Sequence, residues 1–224
     1  MSTAYAHELA AMLHEIDKEY SLTRGMTGKA TLSPRVRKAM EQTPRHAFVP
    51  PDFRKLAYQN HPLPIGHEQT ISQPFIVALM TDLLDIHEGD CLLEVGCGCG
   101  YQAAILSLLA DEVYSTEIVP ELALSARERL DRLGFKVTVG EKDGYYGWPE
   151  HAPFDGIIVT AAAMTVPPLL LEQLKPGGRL VLPVGQPYGF QRLLLLHKQL
   201  DDTIQEKEIL GVAFVPLTGF HGEE

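Results

Sequence analysis

Three glycines at alternate positions, Gly96, Gly98 and Gly100, stand in the stretch CLLEVGCGCGY, Cys91 to Tyr101. They follow a short apolar run, Leu92-Leu93, and the acidic Glu94. Glycine permits positive φ and brings no Cβ, so a ligand can lie against the peptide plane of such a turn. The helix-compatible run YQAAILSLLA starts at once and offers unpaired N–H groups beside a positive dipole end. A dinucleotide site wants G-x-G-x-x-G. Here the spacing is G-x-G-x-G, and Tyr101 occupies the place of the last dinucleotide glycine. Glu94 would repel a pyrophosphate. It suits a ligand carrying positive charge near the turn, and S-adenosylmethionine carries both an ammonium and a sulfonium (its product is S-adenosyl-L-homocysteine).

Two downstream acids fit the same ligand. Glu117 ends the next apolar run, EVYSTE, and can accept both ribose hydroxyls of an adenosine. Asp143-Gly144 falls at the following loop, within reach of an adenine amino group. Cys91, Cys97 and Cys99 all crowd into the first strand and its turn, where neither a disulfide framework nor a structural zinc set of about four ligands is expected. No metal is expected; the thiols read as small fillers in a reducing cytoplasm.

The elements that must position these residues alternate. Tyr5, Leu9, Met12, Leu13, Ile16 and Tyr20 share one face and predict an amphipathic helix over residues 4 to 20, with TRGMTG (Thr23 to Gly28) as a linker. Ser33-Pro34 reads as an N-cap and first helical residue, opening a helix through about Gln42. Six residues of the proline–glycine kind in 50 to 74 predict a long but ordered loop. PFIVALMTDLLDI then starts a helix with proline in its first turn, so Thr70 or Ser72 could serve as no more than a cap. Strands follow at EVYSTE, FKVTVG, FDGIIVTAAA and RLVLPVG, with helices at VPELALSARERLDRL and Val166 to Leu174 between them. FQRLLLLHK and KEILGVAF have no helix between them and should pair antiparallel at one end. The fold class is α/β, a doubly wound and mostly parallel seven-stranded sheet with N-terminal helices. Its ligands should lie beyond the carboxyl ends of the strands.

At 224 residues the chain suits a single domain. Within it, 1–45 reads as a helical extension, 46–75 as a substrate loop region, and 76–224 as the cofactor-binding core with its C-terminal hairpin. Lys plus Arg is 19 against 29 for Asp plus Glu, a formal charge of −10, which disfavours nucleic acid and anionic membrane as partners. No apolar run is long enough to span a bilayer, and the N-terminus lacks the layout of a signal peptide. A cytoplasmic monomer is expected.

The turn from Glu94 to Tyr101, with Glu117, Asp143-Gly144 and LKPGGRLVLPVG (Leu174 to Gly185), resembles the class I S-adenosylmethionine-dependent methyltransferases. RHAFVP (Arg45 to Pro50), PIGHEQTISQP (Pro64 to Pro74), FDGIIVTAAA and FVPLTG (Phe214 to Gly219) resemble, more narrowly, the protein-L-isoaspartate O-methyltransferases. That resemblance implies donor contacts at Thr70, Gln73, Glu94, Gly96, Cys97, Gly98, Gly100, Glu117, Ile118, Asp143, Gly144 and Thr218. It implies substrate contacts at Ile71, Ser72, Val215, Pro216 and Leu217, with the Ser72 hydroxyl next to the transferable methyl. It favours a site over a cap for Ser72. Many members have histidine or tyrosine where this chain has Phe75, which reads as a packing position.

The chemistry so implied is methylation of the free α-carboxylate of an isoaspartyl residue, opening repair of aged proteins through a succinimide. Such a carboxylate is already an anion at neutral pH, so no strong base is needed. Alignment and exclusion of water are what a protein can add. A charge-assisted hydrogen bond from Ser72 would contribute roughly 1.5–3 kcal/mol. A methyltransferase for a small molecule or RNA, and a non-catalytic adenosine-binding module, are the competing readings.

Overall fold

The computed structural model describes residues 5–219. Residue 4, where the first helix is expected to begin, lies outside them. Helix α1 (Ala6–Thr27) runs through most of the expected linker and ends at Gly28, whose φ of 73° closes a left-handed cap. The threonines of TRGMT do not break it because their hydroxyls bond back: Thr23 donates to Glu19 O at 2.7 Å and Thr27 to Thr23 O at 3.2 Å. Helix α2 (Pro34–Gln42) is capped as expected, with Ser33 Oγ accepting the Val36 N–H.

The segment expected to be loop carries more structure than that. A 3-10 turn spans Pro51–Leu56, and a small antiparallel hairpin pairs β1 (Leu63–Gly66) with β2 (Gln69–Ile71). Gly66, His67 and Glu68 all take positive φ at its tip. Pro62 precedes β1, and Pro64 lies inside it opposite Thr70, tolerated because each strand of a two-stranded hairpin is an edge strand. This hairpin delivers Thr70 to Ser72 to the start of α3 (Pro74–Leu84).

The main sheet holds β3 (Cys91–Val95), β4 (Glu112–Glu117), β5 (Thr138–Glu141), β6 (Phe154–Val159), β7 (Leu174–Gly185), β8 (Gln191–Lys198) and β9 (Ile204–Val212). Their order is β5-β4-β3-β6-β7-β8-β9, parallel from β5 to β7 and antiparallel from there on. Helices α4 (Tyr101–Leu106), α5 (Pro120–Leu133) and α6 (Pro168–Glu172) connect the parallel strands. Strand β7 begins earlier than expected and absorbs Lys175-Pro176-Gly177-Gly178, at the cost of a register irregularity against β6. One apolar layer packs α1, α3 and α4 on one face, around Tyr20, Leu79 and Ile105. A second, around Trp148, Phe154 and Leu170, covers the other. Strand order reverses between β3 and β6, so a crevice opens where Val95 and Val159 end.

Among the described residues no helix is long and apolar enough to cross a membrane.

Candidate active site

The glycine turn closes the crevice from below. Gly96, Gly98 and Gly100 all take positive φ, at 95°, 53° and 86°. A Cβ on Gly96 would lie 2.6 Å from Thr160 Oγ1. The Gly96 and Cys97 N–H groups are held by Thr116 O, both at 2.9 Å. Thr160, just past β6, donates its hydroxyl to Gly96 O at 2.6 Å. Gly100 caps α4 and packs against Leu130 instead of facing the crevice.

Glu117 ends β4 beside this turn. Its Oε2 accepts the Gly98 N–H at 2.7 Å and its Oε1 the Val119 N–H at 3.0 Å. A carboxylate has about four lone-pair sites, so two acceptor directions are left over. They belong to a pocket also lined by Thr70, Gly96, Ile118, Gly144 and Thr218. Asp143 is not on that wall. Its Oδ1 accepts the Tyr145 N–H at 3.0 Å and caps a short 3-10 turn, which leaves Gly144 at the pocket edge.

Glu94 behaves differently from a solvent-facing counter-ion. It is fully buried, and Ser115 donates a short hydrogen bond to its Oε2. Burial first, and then the nearby Glu117 charge, push its pKa up to about 8 against the Ser115 bond. The group is therefore mostly protonated near neutral pH. Oε1 makes no hydrogen bond of full geometry among the described residues, although the Ala103 N–H approaches the carboxyl group and works against the rise in pKa. It belongs to a narrow cleft shared with Ser72, Gly96, Cys97 and Thr160. Cys97 is buried there too, with its thiol pushed well above its ordinary pKa by burial, which suits the expected filler.

The acceptor side is built by the hairpin and α3. Ser72 does not cap α3: Gln73 holds the cap position, no side chain bonds there, and the Phe75 N–H goes to Asn60 Oδ1 at 3.0 Å. The Ser72 hydroxyl makes no hydrogen bond among the described residues, while its carbonyl accepts Arg45 Nη2 at 2.7 Å. Ser72, Gln73 and Thr70 face a groove of about 460 Å³ whose far wall is Phe190, Val212 and Phe214. Gln73 thus stands on the acceptor side, away from the glycine turn. Ile71 is buried and reaches the narrow cleft beside Ser72. Phe75 is buried, edge-on to Tyr20 at 5.7 Å between ring centroids.

The C-terminal segment is tied across the top. Val215 O accepts the Ala162 N–H and Leu217 N–H donates to Ala162 O, each at 2.8 Å. Val215, Pro216, Leu217 and Thr218 consequently wall the same pocket as Glu117.

Sequence reasoning assigned no role to Thr160 or Arg45. Thr160 lines the pocket, the cleft and the groove together. Its place at the carboxyl end of a central strand is the signal that could have found it. Arg45 carries no such signal, because its contacts are all long-range.

The family model described as Protein-L-isoaspartate(D-aspartate) O-methyltransferase matches residues 19–222. The chain is 54% identical over 218 residues to protein-L-isoaspartate O-methyltransferase 2 of Syntrophobacter fumaroxidans, covering 97% of this chain and 88% of the relative. It is 55% identical over 209 residues to the like-named protein of a Polaromonas species, covering 93% and 99%. A solved protein-L-isoaspartate O-methyltransferase superposes with a TM-score of 0.80 at 28% identity, over 94% of this chain and 66% of that one. A β-aspartate methyltransferase from Plasmodium falciparum, in complex with S-adenosyl-L-homocysteine, shares the fold with a TM-score of 0.76 at 24% identity. Matches of this extent, to relatives of nearly equal length, decide the assignment: the chain belongs to the protein-L-isoaspartate(D-aspartate) O-methyltransferase family.

Proposed function

We propose that this chain transfers a methyl group from S-adenosylmethionine to the free α-carboxylate of L-isoaspartyl residues in damaged peptides and proteins. The observation that carries the reading is that Thr70–Ser72 and the glycine turn share walls, with Thr70 common to the pocket, the cleft and the groove. An acceptor held by the hairpin and a donor held by the turn would then be neighbours.

The residues fit the donor. Gly96 and Gly98 leave backbone open where a side chain would intrude, Glu117 keeps two acceptor directions, and Glu94, once it gives up its proton, can offer Oε1 to a cation. Bound there, S-adenosylmethionine supplies an electrophilic methyl on a sulfonium. Glu117 would take the ribose hydroxyls, and Glu94 the ammonium. Ile118, Gly144 and Thr218 would close on the adenosine.

On the other side the Ser72 hydroxyl is free to donate to one carboxylate oxygen of the acceptor and hold it on the line of attack. Val215, Pro216 and Leu217 would cover the peptide and exclude water, which strengthens that bond. No group need take a proton, since the acceptor arrives ionised. We place the protein in the cytoplasm as a monomer without a nucleic-acid partner; its charge of −10 and three free cysteines support this.

The deciding experiment gives the protein labelled methyl donor with an isoaspartyl peptide and its normal aspartyl twin. Label is expected on the isoaspartyl peptide alone. Label on neither, with the donor bound, would overturn the reading in favour of another acceptor or a binding module.

A further inference from the structure

Arg45 is fully buried, yet among the described residues no carboxylate pairs with it. Its guanidinium donates from Nε to Ala57 O and from Nη2 to Ser72 O, each at 2.7 Å. Its Cζ lies 4.8 Å from the centre of the Tyr101 ring. Nη1 and the Tyr101 hydroxyl make no hydrogen bond of full geometry among the described residues, but the two side chains interact with each other, each favouring the other's charged form.

Taking a cation out of water without an anion to meet it is costly, and an apolar side chain of like volume would fill the space at lower cost. Packing alone does not explain an arginine here. What the guanidinium can do, and no apolar or single-point donor can, is hold two carbonyls on one rigid planar fork while its face rests on an aromatic ring. Those contacts are informative. Ser72 lies in the bare link between β2 and α3, where no ladder or helix bond fixes its carbonyl. Tyr101 is the first helical residue after Gly100. Arg45 therefore touches the acceptor loop and the end of the donor turn at once.

We propose that Arg45 is the positioning residue that sets Ser72 relative to the glycine turn. Its loss releases the Ser72 loop and misplaces the hydroxyl, while the donor pocket, which Arg45 does not line, stays intact. The role rests on the reading of Ser72 given above, and it can be tested apart from it.

The test compares the whole chain with Arg45→Lys and Arg45→Met. Lysine keeps the charge but cannot span both carbonyls; methionine keeps approximate volume and removes the charge, so a variant survives if the other fails to fold. Hydrogen exchange of the ligand-free proteins reads the loop directly. Amides of residues 69–75 are expected to exchange at least about tenfold faster in either variant, with β3 and β4 unchanged. Affinity for S-adenosyl-L-homocysteine, by calorimetry, should stay within about threefold. Turnover of an isoaspartyl peptide should fall about ten- to a hundredfold, more in kcat than in KM. Unchanged protection of 69–75 would overturn the proposal. So would a loss of turnover matched by an equal loss of S-adenosyl-L-homocysteine affinity, which would make Arg45 a fold staple only. A wild-type chain inert toward the peptide would count against the functional reading, and the exchange result would still decide the placement of the loop.

Discussion

Gly98 donates its N–H to the Glu117 carboxylate at 2.7 Å, so the glycine turn of β3 and the acid ending β4 are one hydrogen-bonded unit. Glu117 also accepts from Val119 and is almost wholly buried. Replacing Glu117 by alanine should weaken binding of S-adenosyl-L-homocysteine by at least about tenfold, since hydrogen bonds to a charged group are each worth roughly 1.5–3 kcal/mol. Glutamine should not rescue it, because an amide turns one donor toward a backbone N–H. Calorimetry on the three proteins checks this, and equal affinities would remove Glu117 from the donor site.

Ser72→Ala separates site from scaffold. The hydroxyl makes no hydrogen bond among the described residues, so its removal should leave the melting temperature within about 1 °C. Affinity for the donor should hold within a few-fold. Methyl transfer should fall at least about tenfold, the loss of one charge-assisted hydrogen bond made in the transition state. Initial rates with labelled donor measure it; full activity would leave Ser72 without a catalytic role.

The parallel half of the sheet is legible because its strands are apolar runs and three of them, β3, β4 and β6, are followed by a helix. The antiparallel pair is legible from the polar, helix-free link before Lys207 and Glu208. The β1–β2 hairpin is not, since Pro62 and Pro64 suppress a strand signal while His67 and Glu68 take a left-handed turn that glycine or asparagine would ordinarily advertise. The helical stretch from Thr23 to Thr27 is hidden for a related reason: Gly25 and two threonines read as a turn, whereas in the helix both hydroxyls are satisfied by carbonyls one turn back. The glycine turn and Glu117 stand out because local spacing carries their meaning. Arg45 does not, because the partners that define it lie near residues 57, 72 and 101 and meet only when the chain folds.

Phe75 is expected to be a packing position, and its surroundings say that it packs. It is buried against Tyr20, whose hydroxyl bonds Asp82 at 2.7 Å. Phe75→Ala should destabilise the protein by roughly 3–5 kcal/mol, lowering the melting temperature by about 8–16 °C for a domain of this size. At 20 °C the folded fraction should turn over near the wild-type rate. A rate loss in fully folded variant would instead tie Phe75 to the chemistry.

Glu94 makes donor binding depend on pH. Its folded-state pKa, about 8, lies above the ordinary 4.5, so the folded protein holds a proton that the unfolded chain has released between those values. Stability from this group is present below pH 4.5 and is lost as pH rises through about 8. An ammonium beside Oε1 favours the ionised form, so binding S-adenosyl-L-homocysteine near pH 7 should expel a proton. Affinity should accordingly climb with pH and level off above about 8. Glu94→Gln imitates the protonated acid, keeps an oxygen for Ser115, and has nothing to titrate. Calorimetry in two buffers of different ionisation enthalpy should detect proton release in the wild type and none in the variant. The melting temperature of the ligand-free wild type should fall from pH 5 to 8 more steeply than that of the variant. Identical pH profiles would mean that Glu94 keeps one protonation state throughout and does not meet the ammonium.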